Sequence, residues 1–138
     1  MRVVKRGEWQ VASDNLKTSS YKDLIAWQKS ILLVKHVYKL TSIFPSEEKF
    51  GLISQLRRAA VSVPSNIAEG QARRTTGDFI HFISNAEGSV AEVETQLIIA
   101  VELSFCSKAQ AETCFSINDE VRRMLNALRR SLESKRAV

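Results

Sequence analysis

The chain has 138 residues, 44% hydrophobic and 25% charged, which are the proportions of one ordinary globular domain. Its five glycines and two prolines are too few to turn a fold of many short strands. The formal net charge of +5 lies entirely after residue 120, where Arg122, Arg123, Arg129, Arg130, Lys135 and Arg136 stand against the single acid Glu133. A basic segment of this kind fits an anionic partner such as RNA, DNA or an acidic protein face. It equally fits a solvated helix end whose arginines complement the terminal dipole.

Residues 1–19 carry no sustained pattern and read as an N-terminal arm, leaving 20–138 as the domain. A first helix is expected from Ser20, with Ser20 and Asp23 at capping-box spacing. Leu24, Trp27, Ile31, Val34, Tyr38 and Thr41 form one helical stripe, and Leu33, Val37, Leu40 and Phe44 form a second beside it. Two stripes imply two covered faces, and so contact with another subunit. Pro45 closes this helix. A second helix carries Phe50, Leu52, Ile53, Leu56, Ala60, Val63 and Ile67 on its apolar face, runs through Pro64 with a kink, and ends at Gly70 as a C′ residue. A third opens at Thr75 with Asp78 three residues on, and its seam is Phe79, Ile83, Ala86, Val90, Val93, Leu97 and Ala100. A fourth opens at Ser107 with Gln110 at capping-box spacing, and buries Cys114, Ile117, Val121, Leu125, Leu128 and Leu132. Alternating steps of three and four residues keep a seam facing its partner in near-parallel, left-handed packing. Short connections make successive helices antiparallel neighbours. The expected fold is therefore all-α, an up-down-up-down four-helix bundle.

Chemistry is harder to find. His36 has no His, Cys or carboxylate at a helical ligand spacing and His81 has only Asp78, which is no designed metal site, so no metal and no cofactor are expected. Neither a phosphate loop nor a nucleophile elbow occurs. Ser46 and Lys49 fit a Ser-x-x-Lys pattern, but just after a proline Ser46 reads as a helix cap. The chain is thus expected not to be an enzyme. With two cysteines, no apolar leader and no long apolar run, it is expected to be cytoplasmic, without membrane contact. The candidate nucleic-acid contacts are Arg122, Arg123, Arg129 and Arg130, with Arg73 and Arg74 between the second and third helices as a further patch. By helical angle, Arg122, Arg129 and Arg136 flank the apolar stripe of the fourth helix, where a subunit boundary or ring opening would lie. Arg123 and Arg130 lie opposite the stripe.

Residues 44–70 run Phe-Pro-Ser-Glu-Glu-Lys-Phe-Gly-Leu-Ile-Ser-Gln-Leu-Arg-Arg-Ala-Ala-Val-Ser-Val-Pro-Ser-Asn-Ile-Ala-Glu-Gly. Here the chain resembles the bacterial four-helix-bundle proteins of ribosomal RNA intervening sequences. Phe44-Pro45, Glu48, Gly51-Leu52, Gln55, Arg57-Arg58-Ala59, Ser62 and Asn66-Ile67-Ala68-Glu69-Gly70 carry the likeness. Leu24 and Trp27-Gln28 add to it, as do Gly88-Ser89, Glu92 and Gln96-Leu97. Ser104 departs from it, standing where a helix-ending glycine is usual. The resemblance implies a ring-forming homopentamer. It also implies a relation to the basic accessory variability determinant of diversity-generating retroelements, which binds nucleic acid and a reverse transcriptase. An adaptor for such a nucleic-acid enzyme, with no direct contact to nucleic acid, is the alternative. If the second and third helices are symmetric about their connection, Gln55 faces Glu92 and Arg58 faces Ser89, within reach of a register-setting Arg58–Glu92 pair. Pro64, Asn66 and Glu69 then serve kink and cap, and Gly88 with Ser89 a close helix approach.

Overall fold

The computed structural model describes residues 20–137. Four helices follow one another, α1 Ile25–Thr41, α2 Leu52–Gln71, α3 Thr76–Glu102 and α4 Lys108–Ala137, and the described residues contain no strand. Each helix packs on the next and α1 closes against α4, while the diagonal pairs do not approach one another. The cross-helix contacts run in opposite numerical order. Ser62 meets Ser89 while Gly70 lies against Phe82. Glu87 meets Arg129 while Gly77 lies against Arg136. Such pairings require α2 and α3, and α3 and α4, to be antiparallel.

The expected seams form the core. Leu33, Val37, Leu56, Val63, Ile67, Ile83, Val93, Leu97, Val121 and Leu125 are fully or almost fully buried. Each such side chain contributes about 1.5–3 kcal/mol by leaving water. Both stripes of α1 are largely consumed inside the subunit, since Trp27, Thr41, Leu33, Val37, Leu40 and Phe44 are buried and Leu24, Ile31 and Val34 half-buried. A helix held between two neighbours, α2 and α4, needs a wide apolar face, and that accounts for the double stripe. Phe50 departs from expectation: it lies in the turn before α2 and is 89% exposed.

The helix ends refine the sequence reading. Ser20 caps a single 3₁₀ turn, Tyr21–Asp23, by accepting from the Lys22 N–H. Leu24 is extended, so α1 starts at Ile25 rather than at Ser20. Tyr21 packs edge-on against Trp27, and Gln28 donates to the Lys22 carbonyl, which together pin this turn across the start of α1. Ser46 opens a second 3₁₀ turn and, among the described residues, caps nothing. Glu48 instead accepts from the Leu52 N–H at 3.0 Å and closes the start of α2. Pro64 is buried within a continuous α2. Thr75 caps α3 through the Asp78 N–H, and Ser107 and Gln110 form the reciprocal capping box of α4.

Two glycines behave differently from expectation. Gly70 is not a left-handed cap but lies within α2, where an added Cβ would meet the Phe82 Cβ at 2.8 Å and Phe79 at 2.9 Å. Gly88 is exposed, with nothing within 4 Å of an added Cβ, so only Ser89 makes the close α2–α3 contact. Because Ser62 rather than Arg58 faces Ser89, the register is shifted by one helical turn, and the first turn of α3 overhangs the end of α2. In this register Arg58 and Glu92 are nearly level, but both face solvent and no ion pair joins them among the described residues. Glu92 instead accepts from Gln96 on its own helix.

Candidate nucleic-acid interface

The basic residues of α4 divide by what holds them. Arg122 donates to Asp119 through Nε and Nη2, and Arg123 donates to the other oxygen of the same carboxylate at 2.6 Å. These are neighbours three and four residues apart on one helix face. The hydrogen bond from Arg122, and then the charges of Arg122 and Arg123, hold the Asp119 carboxyl below its ordinary range. Arg129 is the most enclosed, its side chain 29% exposed, and its Nε donates to Glu87 of α3 at 2.9 Å. Its Nη1 reaches Glu133, and the Glu87 hydrogen bond is the main cause of its raised pKa. Arg129 is therefore an α3–α4 tie.

Of the second patch, Arg73 pairs with Glu69 at 2.9 Å and lies over the Phe82 ring, 4.7 Å from its centroid. Arg74 is exposed. Arg136 reaches across to the start of α3, with its Cζ 3.5 Å from where a Gly77 Cβ would stand. Arg74, Arg130, Lys135 and Arg136 are exposed and make no ion pair among the described residues. Arg74, Lys135 and Arg136 lie at the end of the bundle formed by the α2–α3 connection and the C-terminal turns of α4, whereas Arg130, next to the Arg129–Glu87 pair, lies nearer mid-bundle.

The opposite end, built from the α1–α2 and α3–α4 connections, exposes Ile43, Phe50 and Leu103. Cys106 and Cys114 are buried near it. Burial pushes the Cys114 thiol up to about 11, so it stays protonated at neutral pH. Among the described residues no cluster of His, Cys, Asp or Glu is placed to hold a metal ion, and no helix is long and apolar enough to cross a membrane.

The sequence profile described as "23S rRNA-intervening sequence protein" matches residues 22–127. The chain belongs to that family. Among solved structures, a protein of unknown function from the S23 ribosomal protein family of Bacteroides thetaiotaomicron has the same fold, with a TM-score of 0.70 and 20% identity. That alignment covers 77% of this chain and 96% of the other. Comparison with curated proteins finds no match.

Several signature residues of this intervening-sequence family protein have structural roles here. Arg57 donates through Nε to the Thr41 hydroxyl at 2.7 Å and through Nη2 to the Tyr38 carbonyl, with its guanidinium over the Tyr38 ring. It thereby satisfies the last turn of α1 from α2. Asn66 donates to the Ser62 carbonyl, and Glu69 holds Arg73. Pro64 is buried and Gly70 admits the Phe79 and Phe82 rings. Gln55, Arg58, Gly88 and Glu92 face solvent.

Proposed function

We propose that this protein is a non-enzymatic, oligomeric nucleic-acid-binding protein, with RNA as its first ligand, working through the basic end of the bundle. The observation that carries this reading is a group of exposed, unmatched cations on α4 and the α2–α3 connection; Lys35, Lys39, Lys49, Arg58 and Lys108 are exposed without an ion pair elsewhere on the described surface. Arg74, Lys135 and Arg136 at one end, and Arg130 nearer mid-bundle, are exposed without carboxylate partners among the described residues, whereas Arg73, Arg122, Arg123 and Arg129 are satisfied within the chain. Unpaired cations bind phosphate without first giving up an internal partner, so they release counterions at the lowest cost. The contact surface is thus assigned to four residues, of which only Arg74 and Arg130 belong to the six that the sequence suggests.

A homopentamer is the favoured assembly. Gly88 supports self-association, because a glycine in mid-helix costs about 1 kcal/mol relative to Ala, and among the described residues nothing lies within 4 Å of where its Cβ would stand. Light scattering should then give five times 15.5 kDa, about 78 kDa, and a monomer would remove the ring. For nucleic acid, the test is a salt titration of purified protein on RNA. Replacing Arg74, Arg130 and Arg136 with Ala should reduce the slope of log affinity against log salt, by about 0.7–0.9 for each phosphate that is no longer neutralised. Replacing Arg122 and Arg123 should leave it nearly unchanged. An unaltered slope in the triple variant would leave this end merely solvated. The second reading, an adaptor for a nucleic-acid enzyme, draws on exposed Ile43, Phe50 and Leu103 at the other end, which suit a protein partner.

A further inference from the structure

We infer that the basic end takes an unpaired strand of RNA in preference to a duplex. The inference rests on the nucleic-acid reading above and adds the class of strand. Its basis is the flat group beside the unmatched cations. The Arg73 guanidinium carbon lies over the Phe82 ring, 4.7 Å from its centroid, and Nη2 is held by Glu69 at 2.9 Å, yet the side chain keeps 45% exposure. The ring lies on one side of the guanidinium, and nearly half of the side chain remains open to a ligand. His81, exposed, meets the same ring edge-on at 5.5 Å, adding a second planar group.

Charge and shape are thus divided among neighbours. Glu69 offsets the charge of Arg73, so what Arg73 offers a ligand is chiefly a rigid plane on an aromatic backing. Arg74, on the same connection, and Arg136, against Gly77, supply the free charge. A flat surface is useful only to a base whose face is accessible. In a duplex the faces are stacked away and only groove edges are presented. In a single strand the bases splay out and stack on aromatic rings or guanidinium planes while cations follow the backbone. The duplex alternative needs an exposed basic helix face to lie along a groove. The arginines that would form that face on α4, Arg122, Arg123 and Arg129, are held by Asp119, Glu87 and Glu133.

The experiment is fluorescence anisotropy with the full chain, using labelled oligo(U) of about 20 nucleotides and the same strand annealed to oligo(A), at matched salt. The strand should bind about tenfold more tightly than the duplex, the scale of one stacked base. Arg73→Lys keeps the charge but not the plane, and should weaken strand binding about tenfold while leaving duplex binding unchanged. His81→Ala should act in the same direction. Arg74→Ala with Arg136→Ala should weaken both probes alike and flatten both salt slopes. Duplex binding as tight as strand binding overturns this inference alone, as does an Arg73→Lys variant that changes both probes equally or neither. Failure of every probe to bind overturns the nucleic-acid reading beneath it, and this inference with it.

Discussion

The two ends of the bundle are closed by different physics. At the basic end, Thr75 caps α3, but α2 runs into its connection without a side-chain cap, and its closure comes from packing: Gly70 lies against Phe79 and Phe82, with Arg73 laid over the Phe82 ring. At the apolar end, closure comes from hydrogen bonds. Arg57 holds the last turn of α1, Glu48 holds the first N–H of α2, and Ser107 and Gln110 cap α4 reciprocally. There α3 ends in a Schellman arrangement, with Phe105 N–H donating to the Ala100 carbonyl and Ser104 N–H to that of Val101. An end closed by packing is intolerant of added volume. An end closed by separate hydrogen bonds loses stability one bond at a time.

The largest expected effect breaks the packed end. Gly70→Ala places a methyl group inside contact distance of Phe82 and should destabilise the fold by about 1–3 kcal/mol, read as a lower denaturation midpoint at constant slope. At the hydrogen-bonded end, Ser104 occupies the left-handed C′ position, with φ 62°. Ser104→Gly should therefore stabilise the chain by about 1 kcal/mol by relieving that conformation. Glu48→Ala should cost about 0.5–1 kcal/mol, the net worth of one helix-end hydrogen bond. If Glu48→Ala proved costlier than Gly70→Ala, the contrast between the ends would be wrong.

The smallest effect lies between the ends, on the exposed face of α4. The folded Asp119 carboxyl titrates below its unfolded value. Its contribution is therefore complete above the ordinary carboxylate pKa of about 4 and is lost as pH falls through the folded value. Asp119→Asn should remove that part of the acid dependence and lower stability at neutral pH by the same small amount, as expected for an exposed ion pair.

Most of the fold was legible because period and caps are local signals. The α3 seam and the caps at Thr75 and Ser107 are each encoded within four residues, and the structure places them where the spacing does. The α2–α3 register was not legible. It depends on how far α3 overhangs α2, which the Gly70–Phe82 approach decides, and glycine in that sequence reads equally well as a cap. Of the candidate site, the positions of the arginines were readable but not which of them are free. The Asp119–Arg122–Arg123 and Arg129–Glu133 spacings announce local pairs, and so does Glu69–Arg73. The Glu87–Arg129 tie needed the α3–α4 register. Lys135 and Arg136 enter the proposed interface only once the charges of their neighbours are accounted for.

The Arg57 clasp bears on chain topology. Since α2 grips the last turn of α1 through Thr41 and Tyr38, the covalent path through residues 42–51 is not what keeps the two helices together. That path is exposed at Lys49 and Phe50, where a protease can reach it. A single cut there would leave two fragments with complementary faces, and they are expected to stay associated, which gel filtration after limited proteolysis checks.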